Sequence, residues 1–171
     1  MTSISHLHAG PDPEARPWLA LAGFVALCEA AGLVGVPFNQ RSIDTWYARL
    51  RKPSFNPPNW VFGPVWTVLY LLMGVAAWLV WRSNGGRRRT SMILFGLQLV
   101  LNAIWSPLFF GARRPAWALG EMGGLWVAVA LTAARFWSVD KRAGGLFVPY
   151  LAWVSFAAAL NAEIVRLNRG K

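Results

Sequence analysis

The chain has 171 residues, 56% hydrophobic and only 14% charged, where soluble domains run nearer a quarter charged, so the composition asks for a membrane and the length for one domain. The formal net charge of +10 does not point to a nucleic-acid partner, because the 17 Lys and Arg lie mostly between long apolar runs, as interfacial anchors do, and make no continuous basic face. Cys28 is the one cysteine, and both histidines, His6 and His8, fall at the N-terminus, which excludes an intrachain disulfide and leaves no metal site of ordinary ligand spacing.

Residues 1–16 read as a polar leader. Asp12 and Glu14, with no Lys or Arg before Arg16, are the wrong charge pattern for a signal peptide, so the apolar run that follows is expected to stay as a helix. Residues 17–171 read as a single transmembrane domain with five spans, at about 18–38, 58–81, 92–110, 115–137 and 146–167. Each is long enough for a hydrocarbon core of ~30 Å, which takes about 20 residues. Only Glu29 interrupts the first.

Residues 39–57 form a long charged loop with Trp46 and Tyr47 in its middle. The prolines after Lys52 resist helix, and Pro57 or Pro58 suits the first turn of the second span, where a missing N–H costs nothing. Pro64 then falls inside that span, where it removes one backbone bond and presses on the Trp60 carbonyl, predicting a kink beside the bare backbone of Gly63. Local physics leaves two readings of this mouth open: a rigid turn into the membrane, or one wall of a site for a flat apolar ligand.

The remaining connections, 82–90 with Arg87, Arg88 and Arg89, 111–114 and 138–145, are short and force neighbouring helices antiparallel. Lys and Arg divide almost evenly between the two sides, so the positive-inside bias sets no orientation. Aromatic belts account for the tryptophans near helix ends, among them Trp18, Trp60, Trp105 and Trp117. Trp66, Trp126 and Trp153 lie deeper, and an indole N–H at depth wants an acceptor, so these should face protein or a cavity.

Polar groups at depth are expensive and turn inward. Asn102 and Asn161 suit either the pinning of helices or a ligand carbonyl, while Glu163 and Arg166 have the spacing of an interfacial ion pair. The fourth span carries Ala116, Gly120, Gly124, Ala128 and Thr132 at four-residue intervals, a face that a helix, a second protomer or a ligand could approach closely. No nucleophile–base pair of conventional form occurs within the spans, so no residue is assigned a catalytic role and a binding or transport protein is the expectation.

Three separated motifs then carry a resemblance. They are Trp46-Tyr47, Lys52-Pro53 and Pro57-Pro58-x-Trp60-x-Phe62-Gly63-Pro64-Val65-Trp66; Gln98-Leu99-x-Leu101-Asn102-x-x-Trp105 through Phe109-Phe110-Gly111-Ala112-Arg113; and Pro149-Tyr150-Leu151-Ala152-Trp153 with Leu160-Asn161. Over residues 46–168 the chain resembles the tryptophan-rich sensory protein / translocator protein family, also called the peripheral-type benzodiazepine receptor. The resemblance implies an all-α membrane protein, a five-transmembrane-helix bundle whose long first loop caps an internal pocket. That pocket is associated with porphyrins, with sterols in animal members and with synthetic benzodiazepine-type ligands.

Carried onto this chain, the family's ligand positions are Phe62, Gly63, Val65, Trp66, Asn102, Trp105, Trp117, Gly120, Gly124, Trp153, Ala157, Leu160 and Asn161, with Trp46, Arg51 and Lys52 in the loop cap. Gly120 and Gly124 belong to the small-residue face, which the resemblance turns toward a ligand. Homodimers are common in the family, often through the third helix, where this chain has no clean seam of small residues. The proposed cholesterol motif of animal members needs a Tyr where this chain has Glu163, which lowers the sterol reading and raises the tetrapyrrole one.

The expectation is an integral membrane sensor, scavenger or transporter of porphyrin-type tetrapyrroles. Its alternatives are light-dependent porphyrin breakdown by pocket tryptophans, sterol binding or translocation, and a scaffold. Porphyrin or haem would enter as ligand, with no obligate cofactor. The expected partners are the lipid bilayer, a tetrapyrrole or sterol-like small molecule, and a second copy. The Ala, Gly and Arg usage resembles that of bacteria, with inner and outer membrane both open.

Overall fold

The computed structural model describes residues 17–83 and 86–169. The leader at 1–16, with its histidines, and the Gly85 half of the Gly85-Gly86 turn lie outside the described residues. The elements are all helical. In order they are α1 (Pro17–Leu33), α2 (Val36–Ile43), a 3₁₀ turn (Tyr47–Arg49), α3 (Asn59–Arg82), α4 (Arg88–Ser106), a π-helical turn (Pro107–Gly111), α5 (Pro115–Val139), α6 (Lys141–Leu146) and α7 (Val148–Leu167). Grouped by hydropathy they make five segments long and apolar enough to cross a membrane: Pro17–Ile43, Asn59–Arg82, Arg88–Gly111, Pro115–Val139 and Lys141–Leu167.

Several boundaries differ from expectation, each for a local reason. The first span does not end near residue 38 but continues as α2, after a break at Val34–Gly35. A Cβ on Gly35 would lie 2.7 Å from the Ser106 hydroxyl, so the missing side chain lets this break seat against the end of α4. Pro58 is the N-cap of α3 rather than part of its first turn, with an extended ψ of 143°. Pro64 does not end α3, and close to it the Thr67 hydroxyl bonds the Gly63 carbonyl at 3.1 Å.

The expected 138–145 connection is largely helical. Asp140 caps α6, its carboxylate accepting the Arg142 backbone N–H at 2.8 Å and the guanidinium at 3.0 Å, which holds the carboxyl below its usual range. Pro149 sits in the first turn of α7, where its missing N–H would have continued the ladder from α6, and the two helices part at Phe147.

In the packing, α1 runs along α3, α5 lies between α4 and α7, and α6 folds back on α5 and α3. Small residues allow the close approaches. A Cβ on Gly74 would lie 2.7 Å from the Val25 Cα, and one on Gly144 2.6 Å from the Trp137 Cα. The main core is built from Cys28, Met73, Ala76, Ala77, Val80, Val129 and Phe136. A second, smaller cluster of Tyr47, Phe109, Ala118, Leu160 and Ile164 lies under the first loop. Between the two clusters the helices do not close completely.

Candidate functional site: an aromatic cavity under the first loop

The space between the clusters is a cavity of about 300 Å³. Its depth is bounded by Tyr70, Asn102, Met122, Leu125 and Val154, and its walls by Phe62, Trp66, Trp105 and Trp153. Asn39, Ile43, Tyr47, Phe109 and Phe110 roof it. The exposed members of the lining are Leu33 and Val36 on one side and Asn59, Gly63 and Thr67 on the other. The cavity therefore opens between the α1–α2 junction and the first turns of α3.

The aromatic walls are mutually braced. Trp66 stacks on Tyr70 with centroids 5.4 Å apart and meets Tyr150 edge-on at 6.1 Å. Phe62 meets Trp153 edge-on at 5.8 Å, and Trp105 stacks on Phe109 at 4.9 Å. Such contacts limit ring rotation and hold the rings in place around the cavity.

Beneath them runs a buried polar chain. The Tyr70 hydroxyl donates to Asn102 Oδ1 at 2.6 Å, Asn102 Nδ2 donates to the Tyr150 hydroxyl at 3.0 Å, and that hydroxyl donates to Gln98 Oε1 at 3.0 Å. Asn102 thus pins α3 to α7 through α4, using both ends of its amide. Asn161, with its amide turned so that both groups are satisfied, donates to the Pro115 carbonyl and accepts from the Leu119 N–H, each at 3.1 Å, tying α7 to the first turn of α5.

The roof is fastened by polar contacts from the first loop. The Ser42 hydroxyl donates to the Phe110 carbonyl at 2.8 Å, and the Tyr47 hydroxyl donates to Asn56 Oδ1 at 3.0 Å. Burial pushes the Tyr47 phenol above its ordinary range. The Asn168 amide grips the Arg51 backbone at both ends, at 2.9 and 3.1 Å, and the Lys52 ammonium sits 4.5 Å over the Tyr47 ring.

Four polar atoms of the lining are buried and have no hydrogen-bond partner among the described residues: Glu29 Oε1, Asn39 Oδ1, Trp105 Nε1 and Trp153 Nε1. Buried polar groups are usually paired, so four orphans in one cavity mark a place where something else supplies the bonds.

Of the residues expected at a ligand, Phe62, Gly63, Trp66, Asn102, Trp105, Trp153, Ala157, Leu160 and Asn161 line this cavity together. Val65, Trp117, Gly120 and Gly124 do not line it. Val65 is half-buried against the main core. Trp117 and Gly120 line a shallow outer groove with Leu108, Ala116 and Glu121, and Gly124 is exposed. The inward stripe of α5 is Ala118, Met122, Leu125 and Val129, which turns 117, 120 and 124 outward and leaves Trp117 68% exposed. Trp126 does not reach the cavity either. It is 40% exposed, and its indole donates to the Ser155 hydroxyl on α7 at 2.8 Å.

The loop cap also differs in detail. Trp46, Arg51 and Lys52 brace the roof from outside, Trp46 edge-on to Phe109 at 5.7 Å, while Tyr47 supplies the surface facing the cavity. Glu29, Asn39 and Tyr70 also line the cavity, beyond the residues expected there. Glu29 was signalled as the one charge within the first span; Asn39 carried no signal, because residue 39 read as the start of a loop.

Residues 24–167 match the family model of the TspO/MBR family. The chain is 43% identical over 154 residues to the tryptophan-rich protein TspO of Chlorobaculum tepidum, covering 88% of this chain and 96% of that protein. It is 41% identical over 159 residues to the translocator protein of Homo sapiens, covering 91% and 94%. It is also 41% identical over 151 residues to the tryptophan-rich sensory protein of Cereibacter sphaeroides, covering 88% and 92%.

Proposed function

The chain belongs to the TspO/MBR family of multi-pass membrane proteins, and from that premise we propose that it binds a porphyrin-type tetrapyrrole in the cavity under its first loop, as a sensor, scavenger or transporter. The observation that carries the reading is the cavity itself, walled by Phe62, Trp66, Trp105 and Trp153 and holding unpaired indole donors at Trp105 and Trp153. A volume of about 300 Å³ is at the lower end of small-molecule sites, which run from about 300 to 1,000 Å³. A planar macrocycle would slide in through the opening beside α3, lay its face on Trp66 and Trp153, and offer acceptor groups to the two indole N–H groups. Each aromatic contact contributes ~0.5–1.5 kcal/mol beyond buried area.

Titrating protoporphyrin IX into the purified protein in detergent, while following tryptophan quenching, should give a saturable curve. The Trp66→Ala, Trp153→Ala double substitution should weaken it about tenfold or more, the summed effect of two such contacts. Unchanged affinity in that variant removes the stacking proposal.

A second reading is favoured by one feature. Trp66 stacks on Tyr70, which is hydrogen-bonded into the Asn102–Tyr150 chain, so oxidisable rings run from the cavity into the bundle. Light-dependent breakdown of a bound porphyrin could use them. Illumination of the complex should then give a new absorbing product that the double variant does not form. The sterol alternative gains no support at the end of α7, where Glu163 pairs with Arg166 at 2.8 Å in the position a tyrosine would take.

A further inference from the structure

We propose that the α1–α2 wall of the cavity is a donor-selecting subsite, in which Glu29 and Asn39 receive an ammonium or N–H group on one edge of an otherwise apolar ring ligand, and that Glu29 is the specificity-determining residue. This rests on the cavity being the binding site.

The orphaned atoms of the lining are sorted by chemistry. Glu29 Oε1 and Asn39 Oδ1 are both acceptors and both come from the α1–α2 segment. Trp105 Nε1 and Trp153 Nε1 are both donors and come from α4 and α7. Among the described residues neither pair finds a hydrogen-bond partner, and no salt bridge reaches Glu29. An acceptor oxygen shut away without a donor costs the full desolvation of that group, and a carboxyl at membrane depth more than an amide. A ligand that brings its own donor removes the cost, whereas a ligand with a carboxylate at that wall adds to it.

The cavity is therefore polarised. Carboxylate or carbonyl groups of a ligand belong against the indoles of α4 and α7, and amine or N–H groups against α1–α2. Glu29 and Asn39 are ten residues apart, on separate helices joined at Gly35, and the break there is what brings both side chains to one cavity. The same wall is next to the opening, since Leu33 and Val36 are its exposed members. An arriving molecule would meet the acceptors as it enters the cavity.

The test is a matched pair of probes on one macrocycle: protoporphyrin IX, and its bis-amide with ethylenediamine, which presents two ammonium groups in place of two carboxylates. Affinities of both are measured by tryptophan quenching for the wild type and for Glu29→Gln, Glu29→Leu and Asn39→Ala, with folding checked by thermal melt. The ratio of amine-probe to protoporphyrin affinity should fall at least tenfold in both Glu29 variants and in the same direction, by less, in Asn39→Ala. A ratio within threefold of wild type in Glu29→Gln and Glu29→Leu overturns the proposal, including the case where both affinities fall together as a merely structural role would make them. Failure of wild type to bind protoporphyrin, with the amine probe bound and lost in the Glu29 variants, would overturn the tetrapyrrole-acid reading while supporting the subsite. Failure to bind either probe overturns both.

Discussion

Asn102 shows how a single amide can serve two purposes. Its side chain faces the cavity, yet both of its polar ends are engaged, one by Tyr70 and one by Tyr150. Replacing it with a similarly sized apolar residue, Asn102→Leu, leaves the buried Tyr70 hydroxyl without its acceptor, while Tyr150 keeps its bond to Gln98. Leaving a buried group unpaired costs ~1–3 kcal/mol, and bonds between membrane helices average nearer ~0.6, so a loss of about 1–2 kcal/mol is expected. A lowered melting midpoint in detergent would show it, and an unchanged one would mean that water or a neighbour replaces the amide. Trp105 and Trp153 are the opposite case. Their rings are well packed, but among the described residues their N–H groups have no partner, and both residues line the cavity.

At the scale of elements, the helices approach one another where side chains are missing. Gly74 lets α1 lie against α3, because a Cβ there would meet the Val25 backbone rather than the end of a flexible side chain. Gly96 in α4 has nothing within 4 Å of where its Cβ would be and is exposed. The two glycines should respond oppositely to the same change. Gly74→Ala forces two backbones apart and should cost ~1–3 kcal/mol, whereas Gly96→Ala only removes freedom from an exposed helix position and should add about 0.5–1 kcal/mol. Melting the two variants side by side checks both signs. The exposed glycines of α5, Gly120, Gly123 and Gly124, are like Gly96 in having open space around them, so the Gly120–Gly124 part of the small-residue face seats no described helix, whereas Ala128 and Thr132 further along it are buried.

At the scale of the molecule, the single cysteine gives a built-in report on folding. Cys28 is fully buried in the main core between α1 and α3. A thiol-reactive fluorophore should leave the folded protein unlabelled and react only as the bundle opens, giving one cooperative melt. Saturating protoporphyrin at about 100 times its Kd should stabilise the fold by ~2.7 kcal/mol and raise the midpoint. Labelling of the folded protein at low temperature would show instead that α1 separates from α3 without global unfolding. The same melt serves every variant above, because none of them alters Cys28.

The sequence by itself determined the number of spans and the membrane class, and nine of the thirteen residues it expected at a ligand line one cavity. Those depend on local properties: run length, hydropathy, proline position and motifs that keep their spacing. It also marked Glu29, since a lone charge in an apolar run stands out without any neighbour. Only the tertiary structure decided which face of α5 turns inward, because Met122 and Leu125 compete with the glycine face for the interior and the outcome depends on what α4 and α7 present to them. It likewise decided that Asn102 is held at both ends, that Trp126 finds Ser155, and that Asn39 joins Glu29 in one cavity. Each of these joins residues distant in the chain or on separate elements, and no local pattern of residues encodes which side chains will meet once the helices are packed.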